Sequence, residues 1–210
     1  GLAPVPELVE AVRDGYRQRG EGAPAKPRTA LVNDDPGGLL TGYLAVLPET
    51  GAMGGYTYSA GFGAADAWFL TPIFDAESGE PLAVLDGAWM NPLKTGAAGA
   101  VGLDALARND VTDLAVIGSG TQARGQLRAA AAVREFETVR VYSPTVEHRE
   151  SFAADFEDRL AAAVTPVETS TAAVAGADAV ITATRASEPV VDADDLDPGT
   201  HVTAMGQYHP

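Results

Sequence analysis

The chain has 210 residues, 46% of them hydrophobic, enough to bury a real core in one large domain or two small ones. Its 29 acidic residues against 14 basic ones give a net charge of −15, a surface that repels nucleic acid and anionic membranes, and its lack of cysteine excludes disulfides, thiol nucleophiles and cysteine metal sites. No apolar run approaches the roughly 18 residues of a membrane span, and no basic-then-apolar leader opens the chain, so a cytoplasmic protein is expected. Only Lys26 and Lys94 are lysines, and acid-rich, lysine-poor surfaces suit either a salt-loaded (halophilic) cytoplasm, where screening relieves self-repulsion, or an acidic mesophile.

Apolar residues Val9, Val12 and Tyr16 among charged ones predict a short amphipathic helix over Leu8 to Tyr16. Arg17 to Pro27, rich in Gly and Pro, reads as a loop leading to Arg28. From Thr29 to Leu47 the pattern is strand-like, broken by the turn signal Asp34-Asp35-Pro36-Gly37-Gly38. Gly54 to Ser59, Trp68 to Phe74 and, after the turn Asp75 to Gly79, Pro81 to Leu85 read as three more strands. The first ninety or so residues are therefore expected to be mainly antiparallel sheet behind a leading helix. Asn91 to Ala107 reads as a helix of small residues with Pro92 in its first turn. Its Gly96, Gly99 and Gly102 weaken the helix, and such a face marks close approach by another element or a ligand.

Arg108 to Asp113 reads as the boundary between a domain over 1–108 and another over 109–210. Leu114 to Ile117 has the composition of a strand buried on both faces. It runs into Gly118-Ser119-Gly120-Thr121-Gln122-Ala123, a GxGxxA turn, and then an alanine-rich helical run from Arg124 to Val133. Strand, glycine turn and helix in that order are what a pyrophosphate needs. Gly118 permits the tight turn, Gly120 lets the backbone near the phosphates, and small Ala123 lets the helix pack on the strand with its amides facing the anion. Strands at Thr138 to Tyr142, Val164 to Glu168, Ala179 to Ala183 and His201 to Met205 then alternate with helices at Glu147 to Leu160 and Thr169 to Ala175. That alternation predicts a Rossmann-type, doubly wound parallel sheet. Such a sheet usually has about six strands; this chain stops after the fifth, which reads as a fragment of a longer, C-terminally truncated protein. The expected fold class is thus α/β, preceded by a smaller α+β substrate and dimerisation domain.

A dinucleotide's ribose should sit at the end of the second parallel strand, where an acid normally holds the 2′-hydroxyl of NAD. This chain offers Ser143, Pro144 and Thr145, with His148 and Arg149 a turn on, which leans towards NADP; alternatively Arg149 pairs with Glu147 or Glu150 on a solvated face. Thr182 and Thr184 lie where the fourth strand ends, at the ligand-binding edge of such sheets. His201 reads as a packed strand residue, and three scattered histidines give no metal-ligand spacing.

Several motifs together resemble the ornithine cyclodeaminase and μ-crystallin family. They are Asp86-Gly87, Lys94-Thr95-Gly96-Ala97-Ala98, Leu106-Ala107-Arg108, Ile117 to Ala123, Ala177-Asp178-Ala179-Val180, Thr182-Ala183-Thr184 and Pro198-Gly199-Thr200-His201-Val202. The resemblance runs from Pro27-Arg28 to Gly206. It implies a homodimer whose sheets pair across the interface, a dinucleotide domain binding NAD or NADP, and a small amino acid or imine substrate between the domains. By the same resemblance Arg28 binds substrate, its guanidinium fork suiting an α-carboxylate; the residues alone would equally fit a surface salt bridge. Lys94 stands where most relatives carry arginine, keeping the charge without the fork, and is taken as catalytic and substrate-binding. Thr71, Ser119, Thr121, Gln122, Ser143, Thr184, Met205 and Gly206, with Gly118 and Gly120, are the matching cofactor positions.

The chain also departs from the family pattern. Relatives place a catalytic lysine in a GxK strand where this chain has Gly54-Gly55-Tyr56, and Tyr56 is either a proton donor or a core tyrosine. Cyclising relatives carry an aspartate about where Tyr208 follows Gly206-Gln207, with His209 beside it. Those departures favour an NAD(P)-dependent oxidoreductase of amino acids or cyclic imines, either an imine reductase or an amino-acid dehydrogenase. An ornithine cyclodeaminase-like ammonia-lyase and a non-enzymatic, crystallin-like nucleotide binder are the alternatives.

Overall fold

Two sheets of opposite character organise the protein, seen here in a computed structural model that describes residues 3–35, 37–62 and 67–205. Residues 13–91 form one compact unit and residues 92–205, with residues 3–12, the other. The first unit is a meander of β1 (Ala25–Asn33), β2 (Gly38–Leu47), β3 (Ala52–Ala60), β4 (Trp68–Asp75) and β5 (Pro81–Asp86), each antiparallel to its neighbour in chain order. Short connections leave adjacent strands no choice but to pair. The one between β4 and β5 is capped by Asp75, whose carboxylate accepts from the amides of Glu77 (2.9 Å) and Ser78 (2.7 Å).

The leading helix α1 (Val5–Gly20) is longer than its hydrophobic spacing predicted, and the expected loop from Arg17 to Pro27 shrinks to the few residues before Ala25. The cause is ionic and then backbone pairing. Arg17 holds Asp14 (2.7 Å), Glu21 (2.6 Å) and Glu49 (2.7 Å), which extends the helix by a turn, and Ala25 already pairs with Ala45.

The second unit is a parallel sheet of β6 (Asp113–Ile117), β7 (Thr138–Tyr142), β8 (Ala163–Pro166), β9 (Ala179–Ala183) and β10 (His201–Met205), in the order β10-β9-β6-β7-β8. This α/β arrangement has the strand order of a dinucleotide fold, with its reversal point at β6 and β9. Helices α3 (Thr121–Ala130) and α4 (Val146–Glu157) cover one face through Leu127, Phe152 and Phe156, and α5 (Ser170–Val174) covers the other. Leu114, Val116, Val139 and Val141 have no exposed surface. Each such side chain contributes about 1.5–3 kcal/mol of burial. Helix α2 (Asn91–Leu106) belongs to this unit and packs Ala97 and Ala100 with Ala129 and Val9.

Asp178, at the mouth of β9, ties the sheet to the segment that enters it. Its carboxylate accepts from the amides of Thr112 (2.9 Å) and Asp113 (3.0 Å) and pairs with Arg108 at 2.5 Å. Those hydrogen bonds, led by the Thr112 amide, hold its pKa below the ordinary carboxylate value. The sign follows from linkage: the contribution is present above the unfolded pKa near 4 and is lost as pH falls through the lower folded value. Asp178→Asn should therefore cost about 2 kcal/mol at neutral pH. Urea melts should show that gap holding from pH 8 to 5 and narrowing below pH 4.

Candidate functional site

The carboxyl edge of the parallel sheet is where its chemistry gathers. β6 ends at Gly118, whose φ of +115° no side chain adopts comfortably and whose missing Cβ would lie 2.3 Å from the Ala183 carbonyl. The Gly118 amide donates to the Tyr142 carbonyl at 2.8 Å, so β6, β7 and β9 converge on one glycine. Gly120 starts α3 without any side-chain cap, and a Cβ there would meet nothing within 4 Å. A helix start with no side-chain cap and an open approach at its N-cap is the condition under which a helix N-terminus binds an anion. Ala123 is fully buried against the sheet, while Thr121 is exposed. The Gln122 side-chain oxygen is closed off from water with no hydrogen-bond partner among the described residues.

Around this turn the edge is polar. Ser119 and Ser143 share a hydroxyl hydrogen bond of 2.9 Å, which joins the ends of β6 and β7, and Ser143 is itself buried. Arg149, in the first turns of α4, donates to the Ser143 carbonyl at 2.9 Å. Thr184 lies against the glycine turn, 3.5 Å from the Gly118 Cβ direction, and its hydroxyl accepts from the Ala186 amide; Thr182 is half-buried in β9. The uncapped α3 and the open approach at Gly120 fit a dinucleotide's pyrophosphate at Gly118 to Gln122, with Ser143 and Arg149 at its ribose.

Lys94 enters from α2, which lies closely on α3. A Cβ on Gly96 would sit 2.3 Å from the Gly125 carbonyl, and one on Gly125 2.3 Å from that of Pro92. The two helices touch backbone to backbone there, so the glycine face of α2 meets a helix. Lys94 reaches solvent, yet protein displaces enough water from its ammonium to hold its pKa below the usual lysine value.

In the antiparallel unit, register places Tyr43, Tyr56, Tyr58, Phe69 and Thr71 on one face. Arg28 is exposed and lies within the irregularity of β1 between Lys26 and Thr29. Tyr56 stacks on Phe69 (5.6 Å between ring centroids), and burial, reinforced by Tyr58 and Tyr43, pushes its phenol up to about 12. The Thr71 hydroxyl is buried with no hydrogen-bond partner among the described residues.

A sequence model of the ornithine cyclodeaminase/mu-crystallin family matches residues 4–210. The chain belongs to that family. It is 32% identical over 167 residues to a Delta(1)-pyrroline-2-carboxylate reductase of Bacillus cereus, an alignment covering 80% of this chain and 48% of that one. The fold superposes on the Thermococcus litoralis Delta(1)-pyrroline-2-carboxylate reductase in complex with NADH and L-proline, with a TM-score of 0.87 and 29% identity over 98% of this chain and 65% of the other. An archaeal alanine dehydrogenase dimer with bound NAD gives 0.86 and 29%, over 96% and 62%. The chain spans about half the length of the curated relatives it matches.

Among the family positions named from sequence, Met205 ends β10, whereas Gly206, Tyr208 and His209 lie outside the described residues. His201 is half-buried in β10 with its Nε2 3.0 Å from the Thr203 hydroxyl, and burial lowers its pKa. Among the described residues no helix is long and apolar enough to cross a membrane, and no three metal-ligating side chains gather. Sequence reasoning passed over Gln126, which is 1% exposed and donates to the Thr95 carbonyl at 3.0 Å. The signal was its spacing: three residues after Ala123 and four before Ala130, it shares the buried stripe of α3.

Proposed function

We propose that this chain carries the nucleotide-binding and substrate-anchoring machinery of an NAD(P)H-dependent reductase of cyclic imino acids, running in reverse as an amino-acid dehydrogenase. The observation that carries the reading is the open, uncapped start of α3 beyond Gly118, set in a chain whose family relatives include two such reductases. Bound there, a reduced nicotinamide supplies the hydride that the carbon of a C=N bond accepts.

The chain's own residues do the rest. Arg28 holds the substrate carboxylate through two parallel hydrogen bonds. Lys94 adds the second positive charge and, with its pKa lowered by lost hydration, is a ready source of the proton that the nitrogen takes up. Tyr56, raised to about 12, stays neutral and is too weak an acid to compete; it shapes and hydrogen-bonds. Arg149 beside Ser143, with no acid between them and the end of β7 but helix residue Glu147, favours the 2′-phosphate of NADPH over the bare ribose of NADH. The face of the antiparallel sheet opposite Tyr56 pairs with that of a second copy.

Loss of reduced-nicotinamide absorbance on adding Delta(1)-pyrroline-2-carboxylate to the full-length protein is the expected result, faster with NADPH than NADH. Tight nucleotide binding without turnover of any imino acid would replace this reading with a binding protein. Ammonia release from ornithine without net cofactor reduction would replace it with a cyclodeaminase.

A further inference from the structure

We infer that Gln126 is a positioning residue that fixes the first turns of α2, and with them Lys94, against the carboxyl end of β10. Three elements meet at its amide: Nε2 donates to the carbonyl of Thr95, the neighbour of Lys94, and also reaches the sulfur of Met205. The fit is built from both sides. Gly99, one turn along α2 from Thr95, leaves the space, since a Cβ there would lie 2.1 Å from the Gln126 Oε1. A buried amide must be hydrogen-bonded to break even, and a leucine or methionine would fill the same volume with nothing to satisfy. Glycine in the middle of α2 costs helix propensity as well. A buried amide that must be hydrogen-bonded and a glycine that weakens its own helix, placed opposite one another, make sense as a device that sets register rather than as packing.

The consequence rests on the reading of Lys94 as a ligand-facing charge. Gly96 against Gly125 brings the helices close, but small residues on both sides allow sliding along the contact. The hydrogen bond to the Thr95 carbonyl stops that sliding at the turn carrying Lys94. It also couples that turn to Met205, at the sheet edge where the nucleotide is proposed to end.

The scarcity of lysine in this chain makes the test direct. In protein labelled only at lysine, the side-chain resonance lost in a Lys94→Arg variant is that of Lys94, and the one lost in Lys26→Arg is that of Lys26. Gln126→Met, which keeps volume and removes the donor, should move the Lys94 signal and bring its titration midpoint back towards the ordinary lysine value, leaving the Lys26 signal unchanged. The KM for the imino acid should rise about tenfold with little change in kcat, the worth of one displaced charged contact. That rise should vanish in a Lys94→Ala background. Gly99→Ala, which crowds the amide from the opposite side, should reproduce the Lys94 signature and serves if Gln126→Met does not fold. A folded variant with an unmoved Lys94 resonance overturns the inference. A moved resonance in a protein that turns over no imino acid upholds it and sinks the catalytic reading instead.

Discussion

Gly118→Ala is expected to weaken nucleotide binding by about a hundredfold and to destabilise the protein, whereas Gly120→Ala weakens binding alone. At Gly118 the new Cβ must adopt φ near +115° and sit 2.3 Å from the Ala183 carbonyl. The turn cannot relax, because the Gly118 amide is spent on Tyr142 and holds β6 to β7. A left-handed side chain alone costs about 1–2 kcal/mol, and pushing β9 away adds to it. Gly120 has an ordinary φ of −77° and open space beyond its missing Cβ, so an alanine there folds normally. Its methyl instead projects where the phosphates must approach. Thermal melts with fluorescence titration of NADPH separate the two effects. Unchanged binding by Gly120→Ala would show that no phosphate comes that way.

The glycine turn was legible because sterics write it into sequence: strand, turn and helix each need particular residues at fixed spacing, and all three were there. The parallel strands were equally plain, with β7, β9 and β10 falling where their apolar runs lie. What could not be read were the partners. The glycines of α2 announced a close approach, but only the fold shows that Gly125 answers Gly96 and that Gln126 fills the notch at Gly99. The motifs around Arg108, Asp178 and Gly199 carried the family resemblance without any chemistry attached. In the structure they meet: Arg108 pairs with Asp178 and passes 3.4 Å from the Gly199 Cβ direction. Three stretches as far apart in sequence as Arg108 and Gly199 thus make one clamp at the base of the sheet, far from the glycine turn in function. Arg17 to Gly20 was misjudged for the same reason, since its helix is held by Glu49, far along the chain.

Leu44→Asp is expected to split a homodimer, lowering its affinity by about a hundredfold, because each copy would bring a carboxylate into a largely apolar interface with only its cross-strand neighbour Lys26 to offset the charge. Strand register shows why this position is decisive. Leu31, Leu40, Ser59 and Trp68 form one row across the sheet; Thr29, Gly42, Thr57, Leu70 and Asp86 the next; Lys26, Leu44, Gly55 and, on the far strands, Pro72 and Val84 a third. Six of these are large apolar side chains left 47–75% exposed, and the charged members of the three rows are Lys26 and Asp86, on the two edge strands. A chain with net charge −15 that keeps one broad face almost free of charge has reserved it for another surface. A cavity of about 520 Å³ opens on the same face beside Leu44, Gly55 and Phe74, giving a partner's side chain somewhere to seat. Self-repulsion between two such acidic copies opposes the pairing, so added salt should tighten the wild-type dimer. Sedimentation velocity at micromolar concentration should find a dimer for the wild type, and for Leu106→Asp, which adds the same charge to an exposed leucine on α2. Leu44→Asp should sediment as a folded monomer. A wild-type protein that is monomeric at every salt concentration would leave this face without a second copy to cover it.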